Sequence, residues 1–421
     1  MQSANQYKSN ETIAGSTGFT TTEQLGHHNI GLGDIKSSAS NDEEDRKASY
    51  MGRLNYSLMD RYLLTLSIRR DGGDSRFGQD KPWANFPGLA LAWRLSEESF
   101  MQKADFISNL KLRFSYGKNG NSNIGRYDAI SQLDNGYTII DGQSVVTMYP
   151  IKMGGNRLLQ WESTLSTNVG FDLGLFNNRI NITTDLYQRT TTNMLTSRAL
   201  PTITGYTTVR SNLGEVEGKG LELTVNSLNI NTSAFRWTSD FTMSMNRNKI
   251  KHLYGKTVDV LDENGNVVGQ READDPTNGY YIGHAIDEIY GYQIIGVWQK
   301  GEEEEAAKQG RIPGDYKTYM NSESTSLSSA DYRWQGYTTP RSRISLRNTM
   351  TFFRSLTLSF MLRAELGHKK ASNEIAVGGY ADRISQIKYP YWTEENPSTY
   401  WGTTRCTKDW NTLQKCIFPT H

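Results

Sequence analysis

No apolar run in this chain approaches the roughly 18 to 20 residues that a membrane-spanning helix needs, so helical spanning is excluded. Charge of one sign is also missing. The 421 residues hold 46 basic and 45 acidic side chains, and this balance argues against a nucleic-acid partner. Cysteine is nearly absent: Cys406 and Cys416 stand alone in the last sixteen residues. They could bridge, but they make no disulfide framework and match no common zinc pattern. Catalytic signatures are missing as well, with no HExxH, GxSxG or P-loop, which points away from an enzyme. The start, "MQSANQYKSNETIAGSTGFT", lacks the basic-then-apolar order of a secretory signal, so the expectation is either a cytosolic protein or part of a longer one.

What the chain does contain is glycine (38), tyrosine (23) and alternation, with only 36% hydrophobic residues. In "RYLLTLSIRRDGGDSRFG", Tyr62, Leu64, Leu66 and Ile68 face one way and Thr65, Ser67 and Arg69 the other. Similar segments are Tyr50 to Leu58, Leu89 to Leu95, Leu110 to Gly117, Leu165 to Leu175, Ile180 to Arg189, Leu221 to Asn226, Phe235 to Asn246, Ile344 to Phe352 and Leu356 to Leu362. The links between them alternate short and long, as in outer-membrane barrels whose periplasmic turns are short and outside loops long. Ten residues at about 3.3 Å rise and a tilt near 45° cover about 23 Å, close to the roughly 25 Å apolar band of such barrels. Aromatics gather where strands meet turns, at Tyr56, Tyr62, Phe176, Trp237, Phe352 and Phe353.

Several stretches carry a family resemblance. "GRLNYSLMDRYLLTLSIRRDGGDSRFG", "FPGLALAWRLSEESFM", "LKLRFSYGKNGNSNIGRYD", "WESTLSTNVGFDLGLFNNRINITTDLYQRTTTNML", "LPTITGYTTVRSNLGEVEGKGLELTV", "YGYQIIGVWQ" and "YPYWTEENPS" run in order from about residue 48 to 398. Together they resemble the barrel of SusC-like (RagA-type) TonB-dependent outer-membrane transporters. The resemblance implies import of oligosaccharides, glycans or peptides, a SusD-like lipoprotein partner, and energy from TonB through an N-terminal region not recognisable here. No cofactor or metal is implied. The expected fold is all-β: an antiparallel transmembrane β-barrel, about half of a roughly 22-stranded one, with long extracellular loops, in the outer membrane and in contact with its lipid. Residues 1–47 are expected to be a loop or partial strand, 48–400 the partial barrel, and 401–421 a divergent tail from truncation or a shifted reading frame. Without plug and TonB box such a fragment is expected not to transport. A soluble β-rich surface or carbohydrate-binding module and a passive porin are the alternatives.

Candidate ligand-binding aromatics in the outside loops are Trp83, Tyr280, Tyr281, Trp334, Tyr337, Tyr391 and Trp392, since sugar rings pack on flat π-surfaces. Each could equally brace its own loop. Arg69, Arg113, Asp172, Asp185, Asp240, Arg347 and Arg363 are expected to face the lumen, where they could also pair with one another or with a plug. "DENGNVVG" places its glycine at position four, wrong for a calcium loop, and reads as an Asn264-Gly265 hairpin turn. "GEEEEAAKQG" reads as a short solvated helix, and His27 with His28 as loop residues.

Overall fold

Period-two alternation dictates strands, and the computed structural model contains an eleven-stranded antiparallel sheet. It describes residues 2–17, 35–73, 76–131, 133–150, 153–262, 265–321, 326–369 and 392–399. The strands are β1 (Gln2–Thr17), β2 (Ile35–Leu58), β3 (Tyr62–Gly72), β4 (Ala84–Arg94), β5 (Ile107–Asn121), β6 (Glu162–Leu175), β7 (Ile180–Thr192), β8 (Glu215–Asn231), β9 (Phe235–His252), β10 (Ser342–Phe352) and β11 (Leu356–Leu366). Each pairs with the next in sequence, giving an up-and-down meander. All ten strands expected from the alternation are present, most of them longer than the apolar pattern alone indicated. β1 is additional, and β2 begins at Ile35, so regular structure runs across residue 47.

Register divides the sheet into two chemically distinct faces, because directly paired residues project to the same side. One cross-strand row reads Tyr56, Leu64, Leu91, Phe114, Val169, Leu186, Leu221, Met245 from β2 to β9. The row one step away, on the opposite face, reads Arg113, Gly170, Asp185, Glu222, Ser244, Arg343, Glu365 from β5 to β11. The apolar face is not covered by protein: Leu54 is 57% exposed, Leu186 56% and Leu362 62%. In water that exposure would be prohibitive, whereas lipid is the solvent such a face requires. No helix among the described residues is long and apolar enough to cross a membrane.

The short turns lie at one end. Met59 and Asp60 have φ of 53° and 56°, and Phe353 and Arg354 have 49° and 60°. Arg61 N–H donates to the Leu58 carbonyl at 3.0 Å, and Ser355 N–H to that of Phe352 at 3.1 Å. Positive φ at both central residues gives the twist that joins adjacent strands tightly. Aromatics ring this end: Tyr62 stacks with Trp93 at 6.1 Å, and Phe235 meets Phe352 at 4.9 Å. Between β4 and β5, Glu98 accepts hydrogen bonds from Trp93 Nε1 (3.0 Å), Tyr62 Oη (2.7 Å) and Arg61 (3.2 Å). Those bonds hold its carboxyl below the usual range, that from Trp93 counting most. They also anchor the polar tips of two aromatics at the position an interfacial belt occupies.

The buried apolar residues sit mainly at the opposite end, in the long links. Phe77, Ile124, Ala129 and Leu159 form one cluster, with Trp161 and Leu195 against it. It joins three links through Gly78 N–H to the Leu159 carbonyl (2.9 Å), Asn156 Nδ2 to that of Arg210 (2.8 Å) and Asn212 Nδ2 to that of Gln160 (2.6 Å). The link between β9 and β10 is a folded unit. Within it Thr257–Leu261 pairs with Val267–Glu272, Glu288–Gly291 with Arg333–Tyr337, and Ile294–Val297 with Tyr316–Thr318. The acidic run forms helix α1 (Glu303–Lys308). Gly265 has φ 82°, consistent with the expected hairpin, although Asn264 lies outside the described residues. Cys406, Cys416, His27 and His28 also lie outside them.

Candidate functional site

The seven charged residues singled out in the sequence all lie on the polar face. Strand pairing brings three of them together. Arg113 Nη1 and Nη2 donate to the two carboxylate oxygens of Asp185 at 2.9 and 3.0 Å. Its Nε lies 3.0 Å from Asp172 Oδ2, an ion contact too poorly aligned to count as a hydrogen bond, and Lys111 Nζ lies 3.3 Å from the same atom. The other four have local partners. Arg69 Nε chelates Asp71 at 2.7 and 2.8 Å, Asp240 accepts from Asn226 at 2.7 Å, Arg347 donates to Ser359 at 3.3 Å, and Arg363 pairs with Glu365. The face is therefore dense in charge but largely neutralised, suited to contact polar solute and water rather than to concentrate ions of one sign.

Above it, the β9–β10 link assembles an aromatic cluster. Trp334 stacks with His284 at 3.6 Å and 7° and with Tyr290 at 4.4 Å and 29°, and it meets Tyr281 edge-on at 5.2 Å. Tyr290 also meets Tyr281 at 4.8 Å and Tyr332 at 5.5 Å, and Tyr332 meets Tyr292 at 4.7 Å. Burial raises the Tyr281 and Tyr292 phenols, helped in each case by neighbouring phenols, so both stay neutral hydrogen-bonding groups at ordinary pH. Beneath the cluster Asp287 accepts from Thr339 and from Asn248 Nδ2 (2.9 Å), tying the link to β9; burial would raise this carboxyl, but the hydrogen bonds outweigh it and leave it low.

Among the described residues, only Tyr281 and Trp334 of the aromatics singled out in the sequence come together. Tyr280 instead pairs through its backbone with Asp275 and lines a separate cavity of about 160 Å³ with Met194, Leu253 and Tyr254. Arg341 lies over the Tyr337 ring at 3.7 Å. Trp83 stacks with Tyr50, a residue of the apolar face, at 6.0 Å and lies under Arg70. Trp392 is buried and donates from Nε1 to Gln299 at 3.0 Å, while Tyr391 lies outside the described residues. His284, Tyr290, Tyr292 and Tyr332 escaped the sequence reading. The available signal was strand pairing between "EIYG" and "RWQGY", which sets Tyr290 opposite Trp334. Among the described residues no group of three or more His, Cys, Asp or Glu side chains could hold a metal ion. The arrangement provides surfaces for stacking and hydrogen bonding, the chemistry of holding a solute.

Comparison with known proteins agrees with this geometry. The family described as "TonB dependent receptor-like, beta-barrel" matches residues 2–363. TonB-dependent receptor P39 of Formosa agariphila is 37% identical over 257 residues, covering 61% of this chain and 23% of that protein. TonB-dependent receptor SusC of Bacteroides thetaiotaomicron is 35% identical over 252 residues, covering 59% of this chain and 25% of its own length. The solved structure of the RagAB peptide transporter superposes with a TM-score of 0.72 at 20% identity, over 95% of this chain and 43% of that one, a likeness of fold. The chain thus spans about a quarter of these two curated relatives.

Proposed function

The chain belongs to the TonB-dependent receptor β-barrel family of the outer membrane, and on that premise we propose that it forms wall and outer loops of an importer for oligosaccharides or short peptides. The observation that carries this reading is the pairing of two faces in one sheet: an uncovered apolar row from Tyr56 to Met245, and a charged, largely ion-paired row from Arg113 to Glu365. Lipid on one side and a wet lumen on the other is the partition that satisfies both. Folded loops above the polar face would take the ligand, with Tyr281, Trp334 and their neighbours as the stacking surface. A SusD-like lipoprotein would cover the loops, and TonB would supply energy through the rest of the protein.

The test is deletion of the full-length gene carrying this chain in its host, with growth scored on oligosaccharides and on peptides as sole carbon source. Loss of growth on one class, restored by the gene but not in cells lacking TonB, is the expected result. Growth that survives TonB loss would instead indicate a passive pore, and unchanged growth on both classes would refute import.

A further inference from the structure

A cavity of about 470 Å³ opens on the polar face where β2 to β5 reach the long links, well away from the Trp334 cluster in sequence. Ser49, Arg69, Asp71, Phe86, Asn119 and Trp161 line it. Its volume is in the ~300–1,000 Å³ range of ligand pockets. Resting on the import reading above, we propose that this cavity is a binding subsite for one neutral pyranose unit of an oligosaccharide.

The first argument is the aromatic corner. Phe86 is buried, and its ring lies directly over the Gly120 backbone. A Cβ at position 120 would fall 2.1 Å from Phe86 Cζ, so only glycine lets the ring settle there. Trp161 meets Phe86 edge-on at 5.6 Å and 67°, and stacks on Phe77 at 4.9 Å. Phe77 belongs to the buried cluster with Ile124, Ala129 and Leu159. The corner is therefore set in place before any ligand arrives, which lowers the entropy cost of binding.

The second argument is the polar array beside it. Arg69 Nε bonds both oxygens of Asp71, and Arg69 Nη2 donates to Ser49 Oγ at 3.2 Å. Donors and acceptors thus alternate along one wall, and Asn119 adds an amide to the same lining. Adjacent sugar hydroxyls, each both donor and acceptor, match such an array while the C–H face of the ring packs on the aromatic corner. Charge selects against the alternatives. Arg69 and Asp71 neutralise each other, and Lys47, also on the lining, has an interaction of its own, so neither cation is left free to hold a phosphate, a carboxylate or a peptide terminus.

The experiment uses the full-length receptor in detergent micelles and a panel of neutral hexasaccharides built on glucose, xylose, mannose and galactose, with uncharged hexapeptides as comparison. Saturable binding is read by saturation-transfer NMR and tryptophan fluorescence. At least one hexasaccharide should bind, Trp161→Ala and Asp71→Asn should each weaken it at least tenfold, and Trp161→Phe should retain part of the affinity. Absence of binding across the sugar panel, or binding indifferent to both variants, overturns the subsite. If the same receptor still imports peptides in cells, the import reading survives that loss; if it imports neither class, both fall.

Discussion

Arg113 on β5 and Asp185 on β7 form a two-bond ion pair across an intervening strand, passing over Gly170 of β6. A Cβ at position 170 would stand 2.5 Å from Asp185 Oδ1 and 2.9 Å from Arg113 Nη2. Gly170→Ala is therefore expected to push the pair apart and to destabilise the barrel by about 1–3 kcal/mol. Urea unfolding in detergent would measure it, and a variant as stable as wild type would show that the pair has slack.

The two faces should respond oppositely to charge. Leu186 is at the middle of β7 on the apolar face, and Leu186→Arg should cost about 2–4 kcal/mol if that side meets the bilayer centre. Thr183→Arg, on the polar face opposite Asp172, should stay within about 0.5 kcal/mol of wild type. Folding yield into lipid vesicles reads both, and equal penalties would sink the assignment of faces.

Trp334 joins Tyr281 and His284 on one stretch to Tyr290 on a neighbouring strand. Removing it should loosen this region without unfolding the sheet. Trp334→Ala is expected to lose about 1–3 kcal/mol of local protection, because the ring is only partly buried. Amide exchange across residues 281–292 should quicken while β7 to β9 keep their protection, and unchanged exchange would mean the cluster stabilises little.

The hairpin beside the 160 Å³ cavity should hold over a defined pH window. Burial, then the hydrogen bond to Asp275, pushes the Tyr254 phenol up to about 12. For Glu272 and Asp275 burial acts upward, but hydrogen bonds from Gly255 and Leu253 to the first, and from Asn278 and Tyr254 to the second, leave both below their ordinary values. A raised phenol contributes stability that is complete below its unfolded value of 10.0 and is lost as pH rises through about 12. Lowered carboxylates contribute stability present above their unfolded values of 4.5 and 3.8 and lost as pH falls through the depressed ones. Ultraviolet titration of wild type against Tyr254→Phe should therefore show one phenol missing near pH 12, and a missing phenol near pH 10 would contradict the hydrogen bond.

How far this was legible depended on whether the signal was local. Tyr62 to Ile68 alternate within a single strand, and the parity of a strand depends only on its own backbone, so faces, ten of the eleven strands and the short-long rhythm of the links could be read from residue order. β1 could not, because "QSANQYKSNETIAGST" has no apolar alternation and is a strand through its ladder to β2. The seven charged residues could be assigned a face, but not a partner. Arg113 meets Asp185 across 72 positions of sequence, through two consecutive registers and a glycine between them. Likewise Tyr281 could be named as a loop aromatic, while its meeting with Trp334 waited on the pairing of Glu288–Gly291 with Arg333–Tyr337. Residue order by itself determined a two-faced meander suited to a membrane. Tertiary structure alone decided which charges and rings meet, because register and loop closure are set by the sum of contacts between segments far apart in the chain.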